Sequence, residues 1–141
     1  MSTLRPSDQL SSIVPEFDIR TPVGYLKALR SGVTGTALKA AVATINDREL
    51  FSRVTGKDAT NFSKLFRLKV LPGFIADSML DTVRVYMLAA DIFGSLELAR
   101  DWMNTPIPAL GGEIPASLLD SNAGREMVRV ALRKIQFGEF S

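Results

Sequence analysis

Residues that could perform acid–base or nucleophilic catalysis are few in this chain. Its 141 residues include no histidine and no cysteine. Histidine is the usual general base near neutral pH and the commonest metal ligand, and the cysteine thiolate is a common nucleophile and metal ligand. The composition therefore argues against a hydrolase, a zinc enzyme or a cysteine-dependent enzyme.

Carboxylates are the remaining groups that could act as acid and base, because two of them can share that task. In the C-terminal half they occur singly, at positions where we expect solvated helix faces. These acids are Asp77, Asp81, Asp91, Glu97 and Asp101. Gly111-Gly112 lacks the spacing of a phosphate-binding loop. The sequence predicts a protein that is not an enzyme and has no metal, cofactor or small-molecule substrate.

The stretch from Trp102 to Gly112 is instead typical of a recognition surface. An apolar helix ends at the single tryptophan, and a loop rich in proline and glycine follows over Pro106–Gly112. Such a loop can hold an aromatic and several aliphatic side chains in one shape, as interface anchors require. Trp102 could equally be a core residue that clamps two helices together. Both interpretations of Trp102 are open at the level of sequence.

Capping residues and apolar spacings of three and four residues predict an all-α fold, because no segment alternates with the period of a strand. Residues 1–20 are polar and contain Pro6 and Pro15, so we expect a flexible arm there. Helix starts are predicted at Thr21-Pro22, Thr34, Asn46 or Asp47, Asp58, Pro72, Ser95 and Pro115, and the last helix closes at Gly138.

Charge is distributed unevenly along the chain. From Arg48 to Lys69 six basic residues stand against two acidic ones, whereas Pro72 to the C-terminus holds six basic and nine acidic residues. A local basic patch is typical of small nucleic-acid-binding domains, since counterion release supplies much of their affinity. A solvated helix face would carry the same charges, so charge alone does not decide between the two.

The spacing within Arg48–Lys69 predicts a helix-turn-helix, with a turn at Gly56 and a second helix capped by Asp58. If Phe62 and Leu65 face the core, short polar and basic side chains face outward, where they can reach bases and phosphates. The candidate DNA-binding residues are Lys57, Thr60, Asn61, Ser63, Lys64 and Arg67. Two ordinary core helices would show the same spacing and are the alternative.

Apolar residues, glycines and prolines follow one another in a fixed order in the last third of the chain. They are Ala89 and Ala90 with Ile92-Phe93-Gly94, Ala99 with Trp102-Met103, Pro106 with Leu110-Gly111-Gly112, Pro115 with Leu118-Leu119, and Gly124 with Val128, Leu132, Ile135 and Gly138. In this ordered set the chain resembles the Xre-type antitoxins of the Xre/MbcA/ParS family, which pair with RES-domain toxins. The helix-turn-helix matches more loosely, because Asn61, Ser63 and Lys64 stand where relatives often carry arginine.

The resemblance implies a protein with two activities. A helical toxin-binding and dimerisation region over 72–141 would bind a RES toxin, an enzyme that consumes NAD, and block its active-site cleft. A helix-turn-helix region over 21–71 would bind operator DNA as part of a homodimer and repress the operon.

Two sets of residues are candidates for toxin binding. The chemistry of the loop favours Trp102, Pro106 and Leu110 as anchors, and the resemblance indicates the C-terminal tail as the element that enters the cleft. The tail candidates are Arg133, Lys134, Gln136, Phe137, Glu139 and Phe140.

The expected location is the cytoplasm, without membrane contact. No apolar run approaches the ~20 residues of a membrane span, and the first residues lack the apolar stretch of a signal peptide. The alternative function is a plain helix-turn-helix transcriptional regulator whose C-terminal helices only dimerise.

Overall fold

The computed structural model describes residues 4–138. Over this range the chain forms helices and no strand, which confirms the predicted all-α class. Three short 3₁₀ helices cover Pro6–Ile13, Pro108–Leu110 and Pro115–Leu118. The α-helices are α1 (Pro22–Ser31), α2 (Gly35–Ile45), α3 (Arg48–Thr55), α4 (Ala59–Leu65), α5 (Gly73–Phe93), α6 (Leu96–Met103) and α7 (Asn122–Gln136).

The helix starts are fixed by the side chains that the sequence indicated. Thr21, Thr34 and Asp58 each accept a hydrogen bond from the backbone N–H three residues further on, which satisfies one free donor of the first turn. Asp47 does the same for α3, whereas Asn46 has a φ of 59° and ends α2 in the left-handed conformation. The choice between Asn46 and Asp47 is thereby resolved in favour of Asp47.

Helix α5 is the axis of the molecule. Its buried residues lie on almost every side of the helix, and α1, α3, α6, α7 and the first 3₁₀ helix all pack against it. One continuous core joins residues on both sides of the predicted boundary at 71/72, such as Leu38 and Leu132. Although α5 is 21 residues long, neither it nor any other helix in the described range is apolar enough to cross a membrane.

The N-terminal segment differs from the expected flexible arm. Leu10, Ile13 and Ile19 are buried in the core, and the backbone N–H and hydroxyl of Ser7 each donate to the Asp91 carboxylate at 2.8 Å. The expectation is therefore wrong for the described part of the arm. The physical reason is that the apolar side chains of this segment, which recur at helical spacing over Leu10, Ile13 and Phe17, are covered by α2 and α5.

Candidate functional site

Trp102 lies where α6 meets the end of α5. Its ring centroid is 5.7 Å from that of Phe93 with the planes tilted by 36°, and the side chain is half-buried against the core. Aromatic pairs at this separation stabilise a contact beyond the area they bury. Trp102 therefore packs α6 against α5. Part of its side chain is exposed, and contact of that part with a partner stays a prediction.

The loop after α6 is closed by its own backbone. The N–H of Ile107 donates to the carbonyl of Glu113 at 3.1 Å, and the N–H of Gly112 donates back to Ile107 at 3.0 Å. Gly111 and Gly112 have φ values of 67° and 82°, which other residues adopt only with strain. The closed loop buries Leu110 and leaves Pro106 exposed.

A buried carboxylate joins α5 to α7. Asp81 is 4% exposed and accepts hydrogen bonds from Arg125 Nε at 2.7 Å, from Arg129 Nη1 and Nη2 at 3.0 and 2.9 Å, and from Arg84 Nη2 at 2.6 Å. Arg125 also donates to the carbonyl of Leu119 at 2.9 Å. The position of α7 is thus set by charge-assisted hydrogen bonds as well as by apolar packing.

The environment of Asp81 keeps its carboxylate ionised. Burial alone would raise the pKa, but hydrogen bonds from Arg129, Arg84 and Arg125 outweigh it and lower the pKa of Asp81 from 3.8 to about 2. The expectation of a solvated helix face is therefore wrong for Asp81, while Glu97 and Asp101 are exposed as expected.

Asp91 and Asp77 also differ from free surface acids. Asp91 is half-buried and holds the N-terminal segment through Ser7 and Arg5. Asp77, though exposed, accepts a hydrogen bond on its carboxylate from the Tyr25 hydroxyl. A sequence signal existed for these contacts. A helix as apolar as α5 must be central, so its acids require partners.

Gly124 allows α7 to begin directly against the preceding turn. A Cβ at this position would lie 1.7 Å from the carbonyl oxygen of Leu118. Since backbone atoms cannot give way as a flexible side chain can, only glycine fits. The glycine of the ordered C-terminal motif is therefore a packing requirement.

The C-terminal end of α7 is exposed. Arg133 and Gln136 are exposed, Lys134 is half-buried, and the Phe137 side chain is 71% exposed. Glu139 and Phe140, the last two candidates for toxin binding, lie outside the described residues.

An apolar groove runs between α7 and the closed loop, and the sequence analysis missed it. It has a volume of about 460 Å³, and Met127 and Val130 on its wall are 49% and 45% exposed. The signal available in the sequence was this second apolar pair on α7, separate from the core positions Val128 and Leu132. The lining residues are Ala109, Leu110, Ala123, Glu126, Met127, Val130, Ala131 and Lys134. The groove brings together two of the predicted toxin-binding residues, Leu110 and Lys134.

The candidate DNA-binding residues share one exposed surface on and around α4. All six of them, Lys57, Thr60, Asn61, Ser63, Lys64 and Arg67, are exposed, whereas Phe62 and Leu65 are buried. Asn61 is engaged within the helix, because its Nδ2 donates to Asp58 at 3.1 Å and its Oδ1 accepts from Lys64 Nζ at 3.2 Å. Contact with a base would require Asn61 to exchange these bonds.

Part of the basic charge of this region serves the fold. The Arg48 guanidinium lies over the rings of Phe62 and Phe66 at 5.1 and 5.4 Å, a favourable cation–π geometry. Arg53 donates to Glu49 at 2.7 Å and to the carbonyl of Ala116 at 3.1 Å. Lys57, Lys64, Arg67 and Lys69 are exposed, as is Arg48.

Comparison with known proteins addresses the C-terminal region directly. Residues 88–138 match the family model described as the antitoxin Xre/MbcA/ParS C-terminal toxin-binding domain. The chain is also 27% identical over 132 residues to the Prs ADP-ribosylating antitoxin of Sphingobium sp. (strain YBL2), an alignment that covers 86% of this chain and 83% of that protein. The chain is thus an antitoxin of a toxin–antitoxin system, and its residues 88–138 are similar to the Xre/MbcA/ParS C-terminal toxin-binding domain.

Proposed function

We propose that this antitoxin neutralises a RES-domain toxin that consumes NAD, and that it does so by covering the toxin's active-site cleft. The observation that carries the proposal is the match of residues 88–138 to a toxin-binding domain. The exposed end of α7 lies within that match and supplies the element that reaches the cleft.

The NAD-consuming activity of the toxin is supported by the name of the Sphingobium relative, a Prs ADP-ribosylating antitoxin. Protein ADP-ribosylation takes its ADP-ribosyl group from NAD, so a toxin with that activity consumes one NAD for each group that it transfers. A protein that fills the cleft prevents NAD from entering it.

The end of α7 is suited to this task. Phe137 presents a large apolar ring that is 71% exposed, and Arg133 and Gln136 beside it are exposed as well. An exposed aromatic residue with an arginine close by is typical of residues that dominate interface energetics.

Co-expression with the product of the neighbouring gene, followed by pull-down and an NAD assay, tests the proposal. We expect a stable complex and protected NAD levels. Truncation after Leu132 should restore NAD loss, and NAD that stays protected in this variant would contradict cleft blocking by the tail.

A point substitution avoids removing part of a helix. Phe137→Ala should weaken neutralisation, whereas Phe74→Ala should not, although both side chains are 71% exposed. Phe74 lies at the start of α5, outside the matched segment. Equal effects of the two substitutions would contradict a specific role for the tail.

The second part of the proposal is autorepression of the operon by a homodimer through the surface around α4. Its support is the exposed row of short polar and basic side chains, with Lys57, Lys64 and Arg67 available for phosphates. Fluorescence anisotropy with DNA from upstream of the operon tests it. Binding that is no tighter than to unrelated DNA of the same length would contradict repression by this surface.

A further inference from the structure

We propose that the apolar groove between α7 and the closed loop is the anchor site for the toxin. It would take an apolar side chain from a toxin surface that carries a carboxylate next to it. This inference rests on the proposed function and adds a contact beside the tail, because all lining residues of the groove except Lys134 precede the tail candidates.

The first argument is the arrangement of side chains on α7. Met127, Val130, Lys134 and Phe137 follow one another at intervals of three and four residues, so they lie along one stripe of the helix. The core face of α7, with Val128 and Leu132, is a different face. The stripe is therefore not required by the fold of this chain.

The second argument is the location of the groove. All its lining residues lie between Ala109 and Lys134, inside the segment 88–138 that matches a toxin-binding domain. Phe137 continues the same stripe toward the tail. The groove and the tail thus form one surface, and a toxin that holds the tail passes directly over the groove.

The third argument is charge. At one end of the groove Glu126 is compensated, since it accepts from Arg129 at 3.1 Å and lies 4.0 Å from Arg133. Lys134 makes no ion pair within residues 4–138. The uncompensated charge at the groove is positive, and a partner complementary to it is acidic.

Isothermal titration of the purified neighbouring-gene product with Met127→Glu tests the apolar contact. The matched control is Leu98→Glu, because Leu98 on α6 is 52% exposed, Met127 is 49% exposed, and both lie in the matched segment. We expect Kd to rise about tenfold or more for Met127→Glu and to change little for Leu98→Glu. Met127→Ala, which keeps a strong helix former, serves in the same assay if the glutamate variant does not fold.

The possible outcomes distinguish failure of the proposed function from failure of the groove as the anchor site. If the unchanged chain does not bind the neighbouring-gene product, the proposed function fails. If it binds and Met127→Glu binds equally well, only the groove is wrong. If Met127→Glu halves the mass of the free chain in light scattering, the groove holds a second copy of this chain, and the toxin assignment is overturned.

Lys134→Glu tests the charge of the partner. We expect weaker binding and a smaller loss of affinity with added salt, because one favourable charge pair is removed. Lys27→Glu on α1, an exposed lysine outside the matched segment, should leave affinity unchanged. Tighter binding by Lys134→Glu would overturn the acidic character of the partner surface.

Discussion

The region of α3 and α4 and the region of α6 and α7 present their surfaces in different ways. Helices α3 and α4 are 8 and 7 residues long, and their candidate binding residues are exposed side chains that few internal contacts hold. In the second region the exposed stripe of α7 stands on a helix fixed by the buried Asp81 and its arginines. The surface around α4 is polar and basic, whereas the surface of α7 combines an apolar stripe with a fixed position of the helix.

The difference has a consequence for substitutions. A residue of the α4 surface can be changed with little loss of stability, because its contacts are with solvent or with other exposed side chains. A residue that supports α7 cannot, because the same atoms hold the fold and aim the binding surface. Substitutions of the buried residues that hold α7 should therefore have larger effects than substitutions of exposed residues or of groups without a hydrogen-bond partner.

The largest effect is expected for Asp81→Asn, which leaves the arginines around it with no carboxylate. Breaking a buried ion pair on one side costs roughly 3–5 kcal/mol, so urea denaturation should show a loss of free energy of unfolding of that order. Asp101→Asn, at an exposed acid of α6, should change stability by less than about 0.5 kcal/mol. Similar values for both would mean that the network does not support α7.

The pH dependence of stability sharpens this test. The folded pKa of Asp81 is lowered from 3.8 to about 2, so the carboxylate stabilises the fold fully above about pH 4 and progressively less as pH falls toward 2. The stability difference between the unchanged chain and Asp81→Asn should shrink over this range. A stability difference that stays constant over this pH range would contradict a stabilising role for the ionised Asp81 carboxylate.

The next effect is expected for Gly124→Ala, because a Cβ would meet the Leu118 carbonyl oxygen at 1.7 Å. Forced displacement of a packed backbone costs about 1–3 kcal/mol, and α7 would shift together with its groove. Gly73→Ala is the matched control, since nothing lies within 4 Å of a Cβ there and its φ is not positive. Thermal unfolding should show a lower Tm for Gly124→Ala and no decrease in Tm for Gly73→Ala.

A smaller and purely electrostatic effect is expected on the α4 surface. Lys64→Ala and Arg67→Ala should each weaken DNA binding across sequences and reduce the slope of log K against log salt by roughly 0.9, the value for one phosphate contact. Toxin affinity and stability should not change. Unchanged DNA binding in both variants would show that α4 is not the recognition helix.

Asn61→Ala should act differently from the two cationic substitutions. If Asn61 pairs with one base, its loss relaxes the preference at one position by about 1–3 kcal/mol, measured by competition with single-base variants of the operator. A uniform loss over all positions would indicate a phosphate contact instead.

The smallest effect is expected for Tyr86→Phe in the core of α5. The Tyr86 hydroxyl is buried without a hydrogen-bond partner among the described residues, and burial raises its pKa above the usual range. Removing an unsatisfied buried hydroxyl should leave stability unchanged or raise it by up to about 1 kcal/mol. A clear loss in urea denaturation would indicate a bound water at this position.

Features that depend on neighbours in sequence were predictable. Thr21, Asp58 and Ser95 cap helices as expected, because each needs only a backbone N–H three residues away. Pro72 precedes the long helix α5 as expected. The outward side of α4 also follows from local spacing, since Phe62 and Leu65 fix which face is buried.

Features that depend on distant residues were not predictable. Asp81 meets Arg125 across 44 positions, and Ser7 meets Asp91 across 84, so no local pattern shows either partner. The N-terminal segment was misjudged for the same reason. Its apolar residues recur at helical spacing over Leu10, Ile13 and Phe17, but the helices that bury them, α2 and α5, lie far along the chain.

The sequence by itself determined the all-α class, the caps that begin the helices, the ordered C-terminal motif of an antitoxin and the polar character of α4. These depend on short-range hydrogen bonding and on residue type. The tertiary structure alone decided that Asp81 is a buried partner of three arginines, that residues 7–19 complete the core, and that Met127 and Val130 form the wall of a groove. Burial depends on how separate helices meet, so spacing along one helix can indicate that a residue needs a partner but not which residue that partner is.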